Sequence, residues 1–298
     1  MTAKDKRTAR DLVQPALDGL VSSVRAAADR MLAPRVDPEA VHDFRVALRR
    51  LRTVLRAARS VYGRKRVQPL LLRVAHLAEA TNSLRDEEVL DETIAHVALS
   101  NGQRAGVTAW LERRALIESR LREAAIERLR GNDLEELCTE LMKVLADAPH
   151  RDVAAERFAR TKLNRARARV RDALPVDEDD VDGLHRLRIL FKRLRYTAEM
   201  LGRFLTPEDA AAALRERDRT RPNYAAVARL SARMQKSLGS LHDVDHALQV
   251  VAVDEELAPE AREELLEGLS NLRDHLAQEA IARLEELPEE MFGRTVRD

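Results

Sequence analysis

His42, Arg45, Arg49, Arg52 and Arg56 stand three or four residues apart in the stretch "VHDFRVALRRLRTVLRAAR", residues 41–59. At about 100° per residue they share one narrow stripe of a helix. Phe44, Ala47, Leu48, Leu51, Val54, Leu55 and Ala58 fill the opposite side. The stretch holds six arginines and a single carboxylate, Asp43. Like charges at these spacings cost a few tenths of a kcal/mol per pair, about 1–2 kcal/mol for the strip. A multivalent anion would offset that cost. The guanidinium fork suits phosphate oxygens, and its stations recur about every 5.4 Å along one face. His42 adds a donor that gains charge as pH falls towards ~6.5.

The pattern occurs twice. "HDFRVALRRLR" at 42–52 aligns with "HRLRILFKRLR" at 185–195, an offset of 143 residues. His185, Arg188, Lys192 and Arg195 form the second stripe, with Tyr196 beside it and Arg50 and Arg193 on the two flanks. Leu187, Leu190, Phe191, Leu194, Ala198 and Leu201 lie opposite. "NSLRD" at 82–86 is echoed by "GSLHD" at 239–243. The same order of motifs in each half predicts duplication of a domain-sized unit. The expected units are 1–150 and 151–298, two similar helical bundles about a pseudo-twofold axis. Further cations form a second tier: Lys162, Arg165 and Arg169 on one helical face, and Arg233 with Lys236 before Gly239. The plain alternative for any of these faces is solvation, or pairing with carboxylates of another helix. Residues 254–298, with fourteen anions and five cations, could supply those carboxylates. Repetition of an expensive charge pattern weighs against that alternative.

The elements that must position these rows are helical. Ala, Leu, Arg and Glu dominate the 298 residues and aromatics are only 3%, a composition that predicts an all-α fold. Helix-compatible segments fall near 8–32, 38–61, 66–81, 84–99, 104–130, 133–147, 152–173, 181–204, 224–240, 242–256 and 259–287. Asp37 is the expected N-cap of the second, with Pro38 at its first position. "LADAPHR" at 145–151 is the expected hinge between halves. Lys and Arg number 52 against 51 Asp and Glu, so attraction to a polyanion must come from segregated charge. Cys138 is alone in an apolar run, which predicts core packing in a reducing cytoplasm. No run of about 18 apolar residues is present to span a bilayer, and the N-terminus lacks a secretory signal's apolar stretch.

"VHDFRVALRRLR" with "LRDEEVL", and "LHRLRILFKRLRY" with "LGSLHDVD", resemble the CHAD family, the conserved histidine α-helical domain. The resemblance covers nearly the whole chain. It implies two four-helix-type bundles packed about a pseudo-twofold axis, whose basic faces line a central groove or pore. It also implies binding of inorganic polyphosphate and localisation to polyphosphate granules. The carry-over places His42, Arg45, Arg49, Arg50 and Arg52 in the first motif, and His185, Arg188, Lys192, Arg193 and Arg195 in the second. Lys192 departs from the first copy by losing the bidentate fork, and His242 stands where the second motif usually carries Asn.

Other chemistries have weaker signals. His242, Asp243 and His246 could form part of a divalent-metal site for phosphohydrolysis, but Asp243 points about 100° from His242 on a helix. No Walker A loop or nucleophile elbow is present. Nucleic acid would also satisfy the arginines. Single-strand binders, however, add aromatic stacking platforms, and only Tyr196 borders a basic stripe. The expectation is therefore a non-catalytic binding module, without cofactor or membrane contact. Its partner is inorganic polyphosphate or another polyanion, with nucleic acid less favoured. An enzyme of phosphate metabolism is a second expected partner.

Overall fold

The computed structural model describes residues 7–35, 37–203 and 223–292. Among them are ten α-helices and no strand, the expected all-α class. They are α1 (Ala9–Leu32), α2 (Pro38–Tyr62), α3 (Arg64–Glu79), α4 (Asn82–Ile94), α5 (Asn101–Leu129), α6 (Asp133–Ala146), α7 (Ala155–Arg171), α8 (Val181–Arg203), α9 (Tyr224–Val253) and α10 (Pro259–Glu285). A short 3₁₀ turn, Glu289–Phe292, follows.

The two basic helices start and stop for local reasons. Asp37 accepts from the Glu39 amide at 3.0 Å, with Pro38 in the first turn, and so caps α2. Gly63 ends α2 at φ +92°, a conformation costly for any residue with a Cβ, and its N–H donates to the Arg59 carbonyl at 3.1 Å. Asp180 Oδ1 accepts from the Gly183 amide at 2.8 Å in the first turn of α8. A Cβ at Gly183 would lie only 2.1 Å from Asp180 Oδ2, so a larger residue would displace the Asp180 side chain from that bond.

The apolar faces are buried as their periodicity predicts. Phe44, Leu48, Leu51 and Leu55 of α2, with Leu187, Phe191 and Leu194 of α8, enter one large core. Of the expected core positions on α8 only Leu190 is partly exposed. Cys138 is buried in the same core. A second core joins Leu90 and Ile94 of α4, Val107 and Trp110 of α5, Val244 and Val251 of α9, Leu265 and Leu269 of α10, and Leu257 just before α10. Arg114 locks this bundle by reaching Glu87 at 2.7 Å and Asp254 at 3.0 Å. Both cores take helices from each side of residue 150.

Two segments differ from expectation. The break placed near 240–242 is absent, and α9 runs unbroken through Gly239. Leu238 and Leu241 are both buried, and their packing outweighs the helix penalty of one glycine. The expected hinge is tied down. The Arg151 amide donates to the Val61 carbonyl at 3.1 Å, and the Ala9 amide to the Val153 carbonyl at 2.8 Å. Nothing lies within 4 Å of a Cβ built on Gly239. Gly239→Ala should therefore raise the unfolding free energy by about 0.5–1 kcal/mol. Urea unfolding followed by far-UV circular dichroism reads this directly, and a destabilised variant would contradict the open surroundings of that position.

Candidate functional site

α2 packs directly against α8, and the two rows of cations face each other. Arg45, Arg49, Arg188 and Lys192 are close enough to perturb one another's ionisation, across the interface as well as along each helix. Arg85, from the start of α4, borders Arg45 and Arg49. Further along, Arg52 and Arg56 of α2 meet Arg193 of α8 and Arg169 of α7. The row therefore draws on four helices.

The protein supplies countercharges at the edges of the row, where Arg85 pairs with Glu88 at 3.2 Å and with Glu92 at 3.3 Å. Among the described residues, the Glu199 carboxylate holds Arg195 at 2.7 Å and Arg50 at 3.6 Å. Asp243 lies 3.9 Å from Arg188. No ion pair joins Arg45, Arg49, Arg52, Arg56, Lys192 or Arg193 to a described carboxylate. Arg45 is oriented instead by one nitrogen, which donates to the Thr81 carbonyl at 2.7 Å and to Asn82 Oδ1 at 3.0 Å. The buried Nε of Arg49 has no hydrogen-bond partner. The acidic C-terminal region does not neutralise the row where its bonds are described. Glu264 accepts from Ser100 at 2.8 Å, and Asp254 and Glu256 bind Arg114 and Arg113 at 3.0 and 3.1 Å.

Crowding of like charge appears in the acid–base behaviour. Burial, then Arg49, Arg188 and Arg45, push the Lys192 ammonium down to about 7. Arginine cannot shed its proton at neutral pH, so Lys192 is the group that relieves the repulsion. Burial and neighbouring guanidinium groups also lower Arg45 and Arg56, each to about 10, which leaves both charged at neutral pH. The His185 and His242 imidazoles meet Nδ1 to Nδ1 at 3.0 Å, with ring centroids 4.5 Å apart. Burial first, then Arg188, His185, His246 and Lys192, hold His242 down to about 4, so it is neutral at pH 7.

The structure sorts the residues singled out in the sequence. Arg45, Arg49, Arg188 and Lys192 gather, with His185 adjacent. Arg52, Arg56 and Arg193 form the other end of the row. His42 is exposed in the first turns of α2, outside these contacts. Arg50 and Arg195 are committed to Glu199 and lie 6.0 and 5.7 Å over the Tyr196 ring, which is buried. In the second tier, Arg169 joins the row. Lys162 sits 5.1 Å over the Phe158 ring, and Arg165, Arg233 and Lys236 are exposed elsewhere. His242, Asp243 and His246 do not converge. His242 turns to His185 and Asp243 to Arg188, and no metal-holding group of three such side chains occurs among the described residues.

Sequence reasoning did not place Arg85, Glu199 and Asp243 at the site. The echoed motifs carried the missing signal for Arg85: in "NSLRD" and "GSLHD" Arg85 aligns with His242, and both reach the row.

Comparison with known structures agrees with this architecture. The chain is similar to the CHAD domain from the plant Ricinus communis, with 20% identity, a TM-score of 0.73, and coverage of 97% of this chain and 95% of that one. It is also similar to PptA from Streptomyces chartreusis, with 15% identity, a TM-score of 0.63, and coverage of 91% and 98% respectively. At such identities the likeness carries the fold alone. No curated protein matches the sequence. The CHAD domain family model, however, matches residues 15–252. That run holds both basic helices and the row between them, and the chain belongs to the CHAD domain family.

Proposed function

We propose that this protein binds inorganic polyphosphate in a groove between α2 and α8 and performs no chemistry on it. The observation that carries this reading is the meeting of Arg45, Arg49, Arg188 and Lys192, where among the described carboxylates Asp243 alone lies at ion-pair distance, 3.9 Å from Arg188. The family's association with polyphosphate supports it, and the proposal extends to residence at polyphosphate granules beside an enzyme of phosphate metabolism. Among the described residues no helix is long and apolar enough to cross a membrane. Nucleic acid is the competing ligand. Tyr196, Phe44 and Phe191 are all buried, so the row offers no aromatic platform on which bases could stack. A ligand without bases fits better.

Titration with long-chain polyphosphate, single-stranded RNA and orthophosphate tests the reading. Polyphosphate should bind tightest and orthophosphate weakest. With about five phosphates neutralised, affinity should fall roughly 100-fold between 50 and 200 mM salt. Equal affinity for RNA would transfer the site to nucleic acid. Phosphate release on adding Mg²⁺ would overturn the non-catalytic reading.

A further inference from the structure

The row has two unlike ends. Around Arg56 and Arg193 stand Arg52, Arg59 and Arg169, and no described carboxylate pairs with Arg56 or Arg193. Around Arg45 and Arg188 stand Asp86, Glu88 and Asp243, with the His185–His242 pair beside them. A chain of phosphates entering at the Arg56 end meets rising negative charge as it passes Lys192. The charge pattern favours a chain that stops there.

We propose that the His185–His242 pair is a chain-end pocket, which binds the terminal phosphate of a linear phosphate polymer and so makes this protein a reader of polymer ends. This deepens the proposed polyphosphate binding and rests on it. Two neutral imidazoles sharing one hydrogen bond at 3.0 Å must hold opposite tautomers, one donating through Nδ1–H and the other accepting. The ring that donates keeps an acceptor lone pair on Nε2. The ring that accepts carries a proton on its own Nε2. The pair therefore presents one donor and one acceptor. Interior phosphates of a chain are fully ionised at neutral pH and only accept. A terminal phosphate has a second ionisation near pH 6, as phosphomonoesters do, and in its monoprotonated form it donates as well. Among the phosphates of a chain it alone can both donate and accept.

The charged groups facing the pair fit that match. Arg188 and Lys192 on α8 and His246 on α9 disfavour a further proton on the rings, while Asp182 on α8 and Asp245 on α9 act in the opposite sense on His185. Arg273 of α10 holds Asp245 at 3.1 Å. Burial raises the Asp243 carboxyl above its ordinary value, against the opposing pull of Arg188 and Arg85. Asp243, 3.9 Å from Arg188, would repel an interior phosphate there and could accept from a P–OH group.

Stoichiometry on chains of defined length separates the two binding modes, using the intact wild-type protein. Sedimentation with chains of about 20, 60 and 200 phosphates should saturate at two proteins per chain at every length. Occupancy that grows in proportion to length would overturn the chain-end pocket and leave polyphosphate binding standing. Absence of any binding would overturn both. A second measurement compares chains whose ends are esterified with chains whose ends are free. The wild type should lose about tenfold in affinity on esterification, and His242→Phe, checked for folding by circular dichroism, should bind both alike. An unchanged preference in that variant would reject the pair as the reader.

Discussion

The double variant Arg49→Glu/Lys192→Glu loses polyphosphate retention and melts at a higher temperature than the wild type. Both side chains lie at the centre of the row, among Arg45, Arg188 and Arg85, and neither enters the apolar core. Each reversal turns an attraction for phosphate into a repulsion. At about 5 Å and an effective dielectric near 20, that swing is worth several kcal/mol per site before salt screening. A tenfold loss needs only about 1.4 kcal/mol, so binding should weaken by more than a thousandfold. The rise in melting temperature follows from the same contacts, because two new carboxylates land among crowded cations. Arg50→Ala serves as the contrast. Its charge already answers Glu199 at 3.6 Å, and its loss should cost less than tenfold. Filter retention of polyphosphate and a thermal melt check all three proteins. Wild-type retention by the double variant would remove the row from the binding site.

The second large effect is a loss of affinity of about tenfold per pH unit between pH 7 and 9. Lys192 in the free protein titrates at about 7 because burial and Arg49, Arg188 and Arg45 oppose its charge. A bound polyanion reverses that balance and raises the proton affinity, so binding takes up a proton wherever the free lysine is neutral. The contribution is complete below pH 7 and is lost as pH rises above it. Lys192→Arg, which stays charged, should flatten the profile. Stability of the free protein should run the opposite way. Folding lowers this group from 10.5 to about 7, so the unfolded chain holds more protons between those values and stability rises with pH through that window. His242 acts at lower pH. Lowered from 6.5 to about 4, it withdraws stability as pH falls through that interval. Calorimetric titration in buffers of differing ionisation enthalpy reads the proton uptake. A flat profile in the wild type would eliminate Lys192 as the titrating group.

Much of this was legible in the sequence because helical periodicity is a local property. The stripe of Arg45, Arg49, Arg52 and Arg56 and the buried face of Phe44, Leu48, Leu51 and Leu55 follow from spacing alone, and the structure buries those four side chains. The cap at Asp37 and the stop at Gly63 are likewise short-range. What spacing does not reveal is which distant helix brings a countercharge. Glu199 reaches Arg50, and Asp243 reaches Arg188, only because α8 packs on α2 and α9 on α8, whereas the Arg195–Glu199 pair is an i,i+4 contact within α8 that spacing does show. Gly239 misled for a related reason: an intrinsic preference to break was overridden by the buried leucines on either side of it. Tyr196 borders a basic stripe in the sequence, and tertiary packing buries it beneath two guanidinium groups.

The smaller core, closed by α4 and α5 against α9 and α10, has a consequence for synthesis. A ribosome that has made 150 residues has already released Trp110, Leu90 and Ile94, yet their partners Val244, Val251, Leu265 and Leu269 are still untranslated. Those apolar side chains must wait in the open until more than a hundred further codons have been read. For this chain the interval between the two halves is a window of exposure to aggregation, and to the chaperones that guard against it.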